Sequence, residues 1–256
     1  MIKTCSFRVG QLTALLCVIM LLPAAATAAT PFGNPLSWSD DQNHYRVGTE
    51  TVLRDQDWQT VRQRLRDPLT WCRIGALVPD VRDCRIETGA DPSAQVVLSL
   101  RSGGGDEPQN VAHELTISET GGVLEIRMRA PQAPLGVTDA GLYLQARNTA
   151  NGVALTLAYG YRSSLRSRLM TRAYLSTTGR NRPGISYTLT DDGGREYVDG
   201  LRALIERNAM RYFLAVLAAL KHDGPAAAET WYDLAATYTA DLPEQDRDDY
   251  LDSRRQ

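Results

Sequence analysis

Four charged residues on one predicted helix, Arg202, Glu206, Arg207 and Arg211, are the side chains whose spacing could do chemistry. Arg207 and Arg211 stand one turn apart, where like charge costs roughly 0.3 kcal/mol unless something answers it. Such a pair can grip a carboxylate or phosphate through charge-assisted hydrogen bonds. Its commoner use is an internal network with Asp or Glu, because a buried charge left unpaired is too costly. Arg202 and Glu206 form an i, i+4 pair, whose ordinary use is mutual support. The sharper reading puts Glu206 at the polar end of a cavity, a desolvated carboxylate able to act as acid or base. Tyr143 and Tyr159 lie in predicted strands among alternating Leu and Ala, so either can point inward and offer a hydroxyl, although core packing is the more usual fate. His113 sits beside Glu114 in a strand, and strand neighbours face opposite sides, so these two cannot form a dyad.

The sequence contains no Gly-x-Ser-x-Gly elbow, phosphate loop, His-Glu-x-x-His motif or dinucleotide fingerprint. No cofactor is expected. No metal is expected either, since Cys72, Cys84 and the scattered His44, His113 and His222 make a poor ligand set.

The element that positions the charged residues spans 200–220, GLRALIERNAMRYFLAVLAAL, and is rich in good helix formers. Residues 213–220 carry no polar side chain, so that half must be wrapped by protein on nearly every side. At about 100° per residue, Arg202 and Glu206 share an arc with Phe213, Leu217 and Leu220. A charged pair that continues a greasy stripe is what one wall of an elongated cavity with a polar end would show. Phe213 and Leu217 thus join Arg202, Glu206, Arg207, Arg211, Tyr143 and Tyr159 as candidate ligand-binding residues.

Most of the chain before that helix reads as strands. An alternating segment at 45–53 precedes a helix capped by Asp55 or Asp57 and ended by Asp67-Pro68. The stretch 70–87 follows as a link that bends at Pro79-Asp80. Five strands come next, AQVVLSLRS, VAHELTISE, GVLEIRMRA, GLYLQARN and VALTLAYGYR, the last two joined by a hairpin at Ala150-Asn151-Gly152. A short helix over 164–176 offers Leu169 and Met170 as a lid or as plain packing. ISYTLT is read as a last strand, and after the long helix another runs over 226–240. An acidic tail follows. This order fits an α+β fold in which a curved sheet wraps the long helix.

The first residues read as an address. Lys3 and Arg8 precede an apolar run over 12–22, Pro23 and AAATAAT, the form of a secretory signal peptide cleaved after Ala28. Its apolar run is too short to span a bilayer comfortably. Cleavage removes two of the 28 basic residues and none of the 30 acidic ones, leaving 26 against 30. That balance excludes an electrostatic case for nucleic-acid binding. It also leaves Cys72 and Cys84 as the mature chain's cysteines, expected to pair in an oxidising periplasmic or extracellular compartment.

Four stretches in this order, DPLTWCRIGALVPDVRDCR, APLGVTDAGLYLQA, YGYRSSLRSRLMTRAYLSTTGR and GLRALIERNAMRYFLA, resemble the START-like, or helix-grip, superfamily. They are most similar to an exported bacterial group of it without assigned function. The resemblance covers about Arg46 to Arg255. This chain has Tyr159-Gly160-Tyr161 where that group has a Gly-Tyr-Gly-type turn, and Phe213 where it has a longer aromatic patch. What the resemblance implies is a pocket between helix and sheet for lipids, sterols, polyketides or other apolar molecules. The expected layout is a signal peptide at 1–28, a flexible leader at 29–43, the START-like domain at 44–222 and a helical extension at 223–256. The leading function is an exported, non-catalytic carrier or sensor of a hydrophobic small molecule or lipid, with membrane contact peripheral at most. Two other classes stay open: a cyclase, isomerase or hydrolase using Glu206 and a Tyr, and an envelope assembly protein with a filled core.

Overall fold

The computed structural model describes residues 36–88, 94–100, 108–177 and 179–255; the expected signal peptide lies outside them. Its main body is an eight-stranded antiparallel sheet. In chain order the strands are β1 (Ser37–Asp41), β2 (His44–Leu53), β3 (Val81–Thr88), β4 (Ala94–Leu100), β5 (Gln109–Thr120), β6 (Val123–Ala133), β7 (Val137–Thr149) and β8 (Gly152–Ser163). Their spatial order is β1-β2-β8-β7-β6-β5-β4-β3, so the first long strand closes against the last. Strict alternation sets the faces. Leu124, Ile126 and Met128 of β6, Leu142, Leu144 and Ala146 of β7, and Val153, Leu155 and Leu157 of β8 all point to one buried side.

That side holds the helices. α1 (Trp58–Arg66) and α2 (Pro68–Leu77) follow β2, α3 (Leu165–Ser176) follows β8, and α4 (Gly200–Lys221) runs beneath the sheet before α5 (Gly224–Ala235) and α6 (Arg247–Ser253). Residues 213–220 of α4 are all buried, which is why no polar side chain is found among them. Trp231 stacks on Tyr250 at 4.9 Å, and the Tyr250 hydroxyl donates to the Leu77 carbonyl at 2.8 Å. The C-terminal extension is thereby packed into the same core as α2 and α4. The fold is a helix-grip, α+β, as the sequence implies.

Three local readings are corrected. The flexible leader does not run through residue 43: Ser37–Asp41 pairs with β2 across a turn in which Gln42 and Asn43 both have positive φ, the backbone a tight hairpin needs. The strand was hidden because its side chains are mostly exposed and polar. The stretch 70–87 is not a bent link. Asp67 closes α1 and also caps α2, its side chain accepting from Leu69 N–H at 3.0 Å with Pro68 in the first turn. Cys72 of α2 is bonded to Cys84 of β3. ISYTLT does not extend the sheet: only β9 (Tyr187–Leu189) forms, paired with β10 (Arg195–Tyr197) in a separate ribbon.

Tyr159-Gly160-Tyr161 lies inside β8 rather than at a turn. A Cβ on Gly160 would stand 2.4 Å from the Tyr45 carbonyl oxygen, and one on its cross-strand partner Gly141 would stand 2.9 Å from that of Met128. These two glycines let the backbones close up where the β7–β8 register shifts, between Thr138 and Gly141.

Candidate functional site: a neutral cavity beneath the long helix

The first half of α4 does not press flat on the sheet. A cavity of about 300 Å³ remains between them. Its floor is the inner face of β4 to β8, with Leu98, Val111, His113, Met128, Leu142 and Tyr159. Its roof is the stripe Leu204, Asn208 and Tyr212, spaced one turn apart on α4. Its mouth is framed by the 3-10 turn Pro134–Gly136 and by Ser167 and Thr171 of α3. Among the described residues, no Asp, Glu, Lys or Arg lines it.

The polar groups it does offer are neutral. Burial pushes the Tyr159 phenol up to about 12, against a weaker downward pull from its hydrogen bond with Asn208. Tyr161 and Tyr212 are likewise raised by burial, so all three phenols stay protonated. The Tyr159 and Tyr212 rings stack at 5.7 Å, joining floor to roof. His113 is held below its ordinary value by burial, which the backbone carbonyls of Val111 and Val96 only partly oppose. Its Nδ1 lies 3.1 Å from the Val111 carbonyl oxygen.

Of the eight candidates from sequence, Tyr159 alone is a wall of this cavity. Glu206 is fully buried elsewhere: Oε2 accepts the backbone N–H groups of Ile185 and Ser186 at 2.9 and 2.8 Å, and Oε1 accepts from Arg202 at 2.8 Å. Arg202 also lies over the Trp38 ring. The polar end of the stripe is therefore filled by the 185–186 backbone and faces no void. Arg211 donates to the Leu242 carbonyl at 2.8 Å and pairs with Glu244 at 2.6 Å. Arg182 pairs with the same Glu244 carboxylate. Although burial raises that carboxyl, the two arginines outweigh it and hold it below the usual range. Arg207 is buried, reaches the Pro183 carbonyl at 3.4 Å, and is lowered chiefly by burial. Arg211 and Arg182 thus share an internal network through Glu244, and Arg207 rests on the Pro183 carbonyl. Phe213 and Leu217 are core residues deeper along α4.

Tyr143 faces the other side of the sheet. Its hydroxyl donates to Glu125 at 2.9 Å, beside Arg127. It borders a larger groove of about 540 Å³ whose walls include Arg46, Arg127, Arg129 and Asp139. Charged side chains of a solvent-facing sheet make that groove, and no helix covers it. The space beneath α4 is the more enclosed of the two, and no charged side chain is among its described walls.

Leu204, Asn208 and Tyr212 were missed, although their spacing was available. The arc chosen from sequence followed the charges, whereas the cavity lies under the arc where one Asn and one Tyr interrupt an apolar row. Among the described residues no cluster of three or more His, Cys, Asp or Glu could hold a metal, and no helix is long and apolar enough to cross a membrane. The disulfide is compatible with an exported protein.

No protein-family model matches the chain. No curated protein sequence matches it either. Three solved structures are similar to part of it. A STAR-related lipid transfer protein from Xanthomonas axonopodis is 17% identical, with a TM-score of 0.35 over 56% of this chain and 91% of that one. The ZhuI aromatase/cyclase from Streptomyces sp. R1128 is 14% identical, with a TM-score of 0.42 over 76% of this chain and 98% of that one. Norcoclaurine synthase from Thalictrum flavum is 10% identical, with a TM-score of 0.39 over 55% and 89%.

Proposed function

We propose that this chain is an exported binding protein for a small, neutral, hydrophobic molecule, held between α4 and the sheet without being chemically changed. One observation carries the reading: the described walls of the cavity beneath α4 are apolar side chains and polar groups that stay uncharged. An ionised ligand would lose its hydration there and meet no counter-charge, at a cost of several kcal/mol on the order expected for a buried ion. A ligand with an apolar body and one hydroxyl or carbonyl would fit the walls and reach Tyr159, Asn208 or His113. The volume, about 300 Å³, is at the small end of ligand pockets.

Catalysis by Glu206 is not supported, because its carboxylate oxygens are already engaged by Arg202 and the 185–186 backbone. A filled-core assembly role sits poorly with an open space of this size. The test is mass spectrometry of the organic extract from purified, denatured protein, together with titration by the uncharged probe Nile red. A co-purifying apolar molecule that Nile red displaces supports the reading. Absence of any extractable molecule together with no saturable Nile red binding overturns it.

A further inference from the structure

The outer face of the sheet carries the groove of about 540 Å³ that Tyr143 borders, and the space beneath α4 leaves it without a use. Register places its walls. Arg46 of β2 stands opposite Gly160 of β8, Gly160 opposite Gly141 of β7, and Gly141 opposite Arg129 of β6. The adjacent row runs Gly48, Ala158, Tyr143 and Arg127. Residues in register share a face of the sheet, so the middle of this groove is bare. Gly160 and Gly141 give its floor no side chain and Ala158 gives a methyl group, while arginines rise on both sides. With strands about 4.8 Å apart, Arg46 and Arg129 stand about 14 Å from each other at the backbone, and two long side chains can converge on a group between them.

The arginines differ in how they are answered. Arg127 meets Glu125 at 3.3 Å, and Arg129 meets Glu114 at 3.7 Å as well as Asp139. Arg46 and Arg162 are another matter. Arg162 follows Gly160 by two residues on the same face, opposite His44 and diagonal to Arg46. Both are exposed, and among the described residues neither has an ion-pair partner. Asp41 stands opposite His44 on β1 and pairs with neither arginine. Two like charges one diagonal apart repel unless an anion lies between them.

We propose that this groove is a second binding site, for a phosphate group held by Arg46 and Arg162 over the Gly160 floor, with Arg127 and Arg129 on the far side. Two unanswered guanidiniums call for nearly two negative charges, which a phosphate monoester carries near neutral pH and a single carboxylate does not. The planar guanidinium fork also matches phosphate oxygens in pairs. The groove has room for an organic body beside the phosphate. Met128, Leu142 and Tyr159 belong to the walls of both spaces because one sheet lies between them, and their side chains point to the inner one. The two sites are therefore independent.

The test is calorimetric titration of the full chain with phenyl phosphate and with inorganic phosphate, both at an ionic strength of about 0.15 M so that screening is constant. Saturable binding of either supports the site. Tighter binding of phenyl phosphate assigns it to an organic phosphate, and equal binding assigns it to the free ion. R46A and R162A should each weaken binding about tenfold, and the double variant should abolish it. R147A removes an equal charge from an exposed position of β7 opposite Ala154, outside the groove, and should change the affinity less than about twofold. The three arginines are exposed, and unchanged urea midpoints would show that the variants remain folded. A parent without saturable phosphate binding overturns the proposal. So does R147A weakening binding as much as R46A, which would show a response to net charge alone. Displacement of Nile red by phenyl phosphate would also overturn it, by placing the phosphate in the inner cavity.

Discussion

Glu206 Oε2 lies 2.8 Å from the backbone nitrogen of Ser186, twenty residues upstream, and this one hydrogen bond decides what the carboxylate is for. With Ile185 N–H on the same oxygen and Arg202 on the other, Glu206 pins the 183–187 segment against α4. Glu206→Gln would set an amide N–H₂ against either the guanidinium or the backbone donors. We expect it to cost about 2 kcal/mol, and Glu206→Ala about 3–5 kcal/mol, because donors are then left buried and unanswered. Urea unfolding checks this. Nile red affinity per folded molecule should not change, and a variant of normal stability with lost binding would contradict the structural role.

Leu204 forms the N-terminal end of the cavity roof, so enlarging it fills the space from within. Leu204→Trp should reduce Nile red affinity about tenfold or more, since the added ring occupies volume the probe needs. Stability should shift by no more than about 1–3 kcal/mol, the cost of modest overpacking. Equal affinity in the variant would place the binding site elsewhere, the outer groove bordered by Tyr143 being the next place to look.

Cys72 and Cys84 close a loop of 12 residues that joins α2 to β3. On the chain-entropy model this constrains the unfolded state by about 3 kcal/mol. Because α2 contributes Trp71, Ile74 and Leu77 to the core, loosening its link to the sheet edge acts on the whole fold. Cys72→Ser with Cys84→Ser should lower the unfolding free energy from urea titration by about that amount, and dithiothreitol should do the same to the parent. A reduced protein as stable as the oxidised one would contradict it.

The parts of the fold legible in the sequence were those with a strict period. β5 to β7 alternate, and residues 213–220 are apolar all round because protein surrounds them. β1 escaped because an edge strand needs only backbone pairing, and its side chains stay in solvent. α2 escaped because Asp67-Pro68 both ends one helix and begins the next, and Pro in the first turn of a helix looks the same as Pro after one. The site was harder. A buried Glu beside an Arg has one sequence signature whether it faces a cavity or a strand of backbone, and only the placement of Ile185 and Ser186 distinguishes them. Asn208 gave a quieter signal: a polar residue on an apolar arc with Leu204 and Tyr212, which marks a surface half-packed and half-hollow.

His113 supplies a pH dependence whose sign can be worked out. Burial lowers its folded-state value below 6.5, while the unfolded chain titrates near that value. Below 6.5 the unfolded state therefore binds the proton more readily, so stability falls as pH drops through 6.5 toward the lowered folded value. Among the described lining residues Tyr159, Tyr161 and Tyr212 remain neutral and there is no carboxylate, so the facing side chains do not offset the change. Glu244 acts in a separate, more acidic window: its stabilisation is present above the usual carboxylate range and is lost as pH falls through its lowered folded value. Replacing His113 by Leu should flatten the stability profile on the acid side of 6.5 while leaving the Glu244 step in place. Urea midpoints measured at a series of pH values read both, and an unchanged slope in His113→Leu would show that the histidine does not titrate where its burial requires.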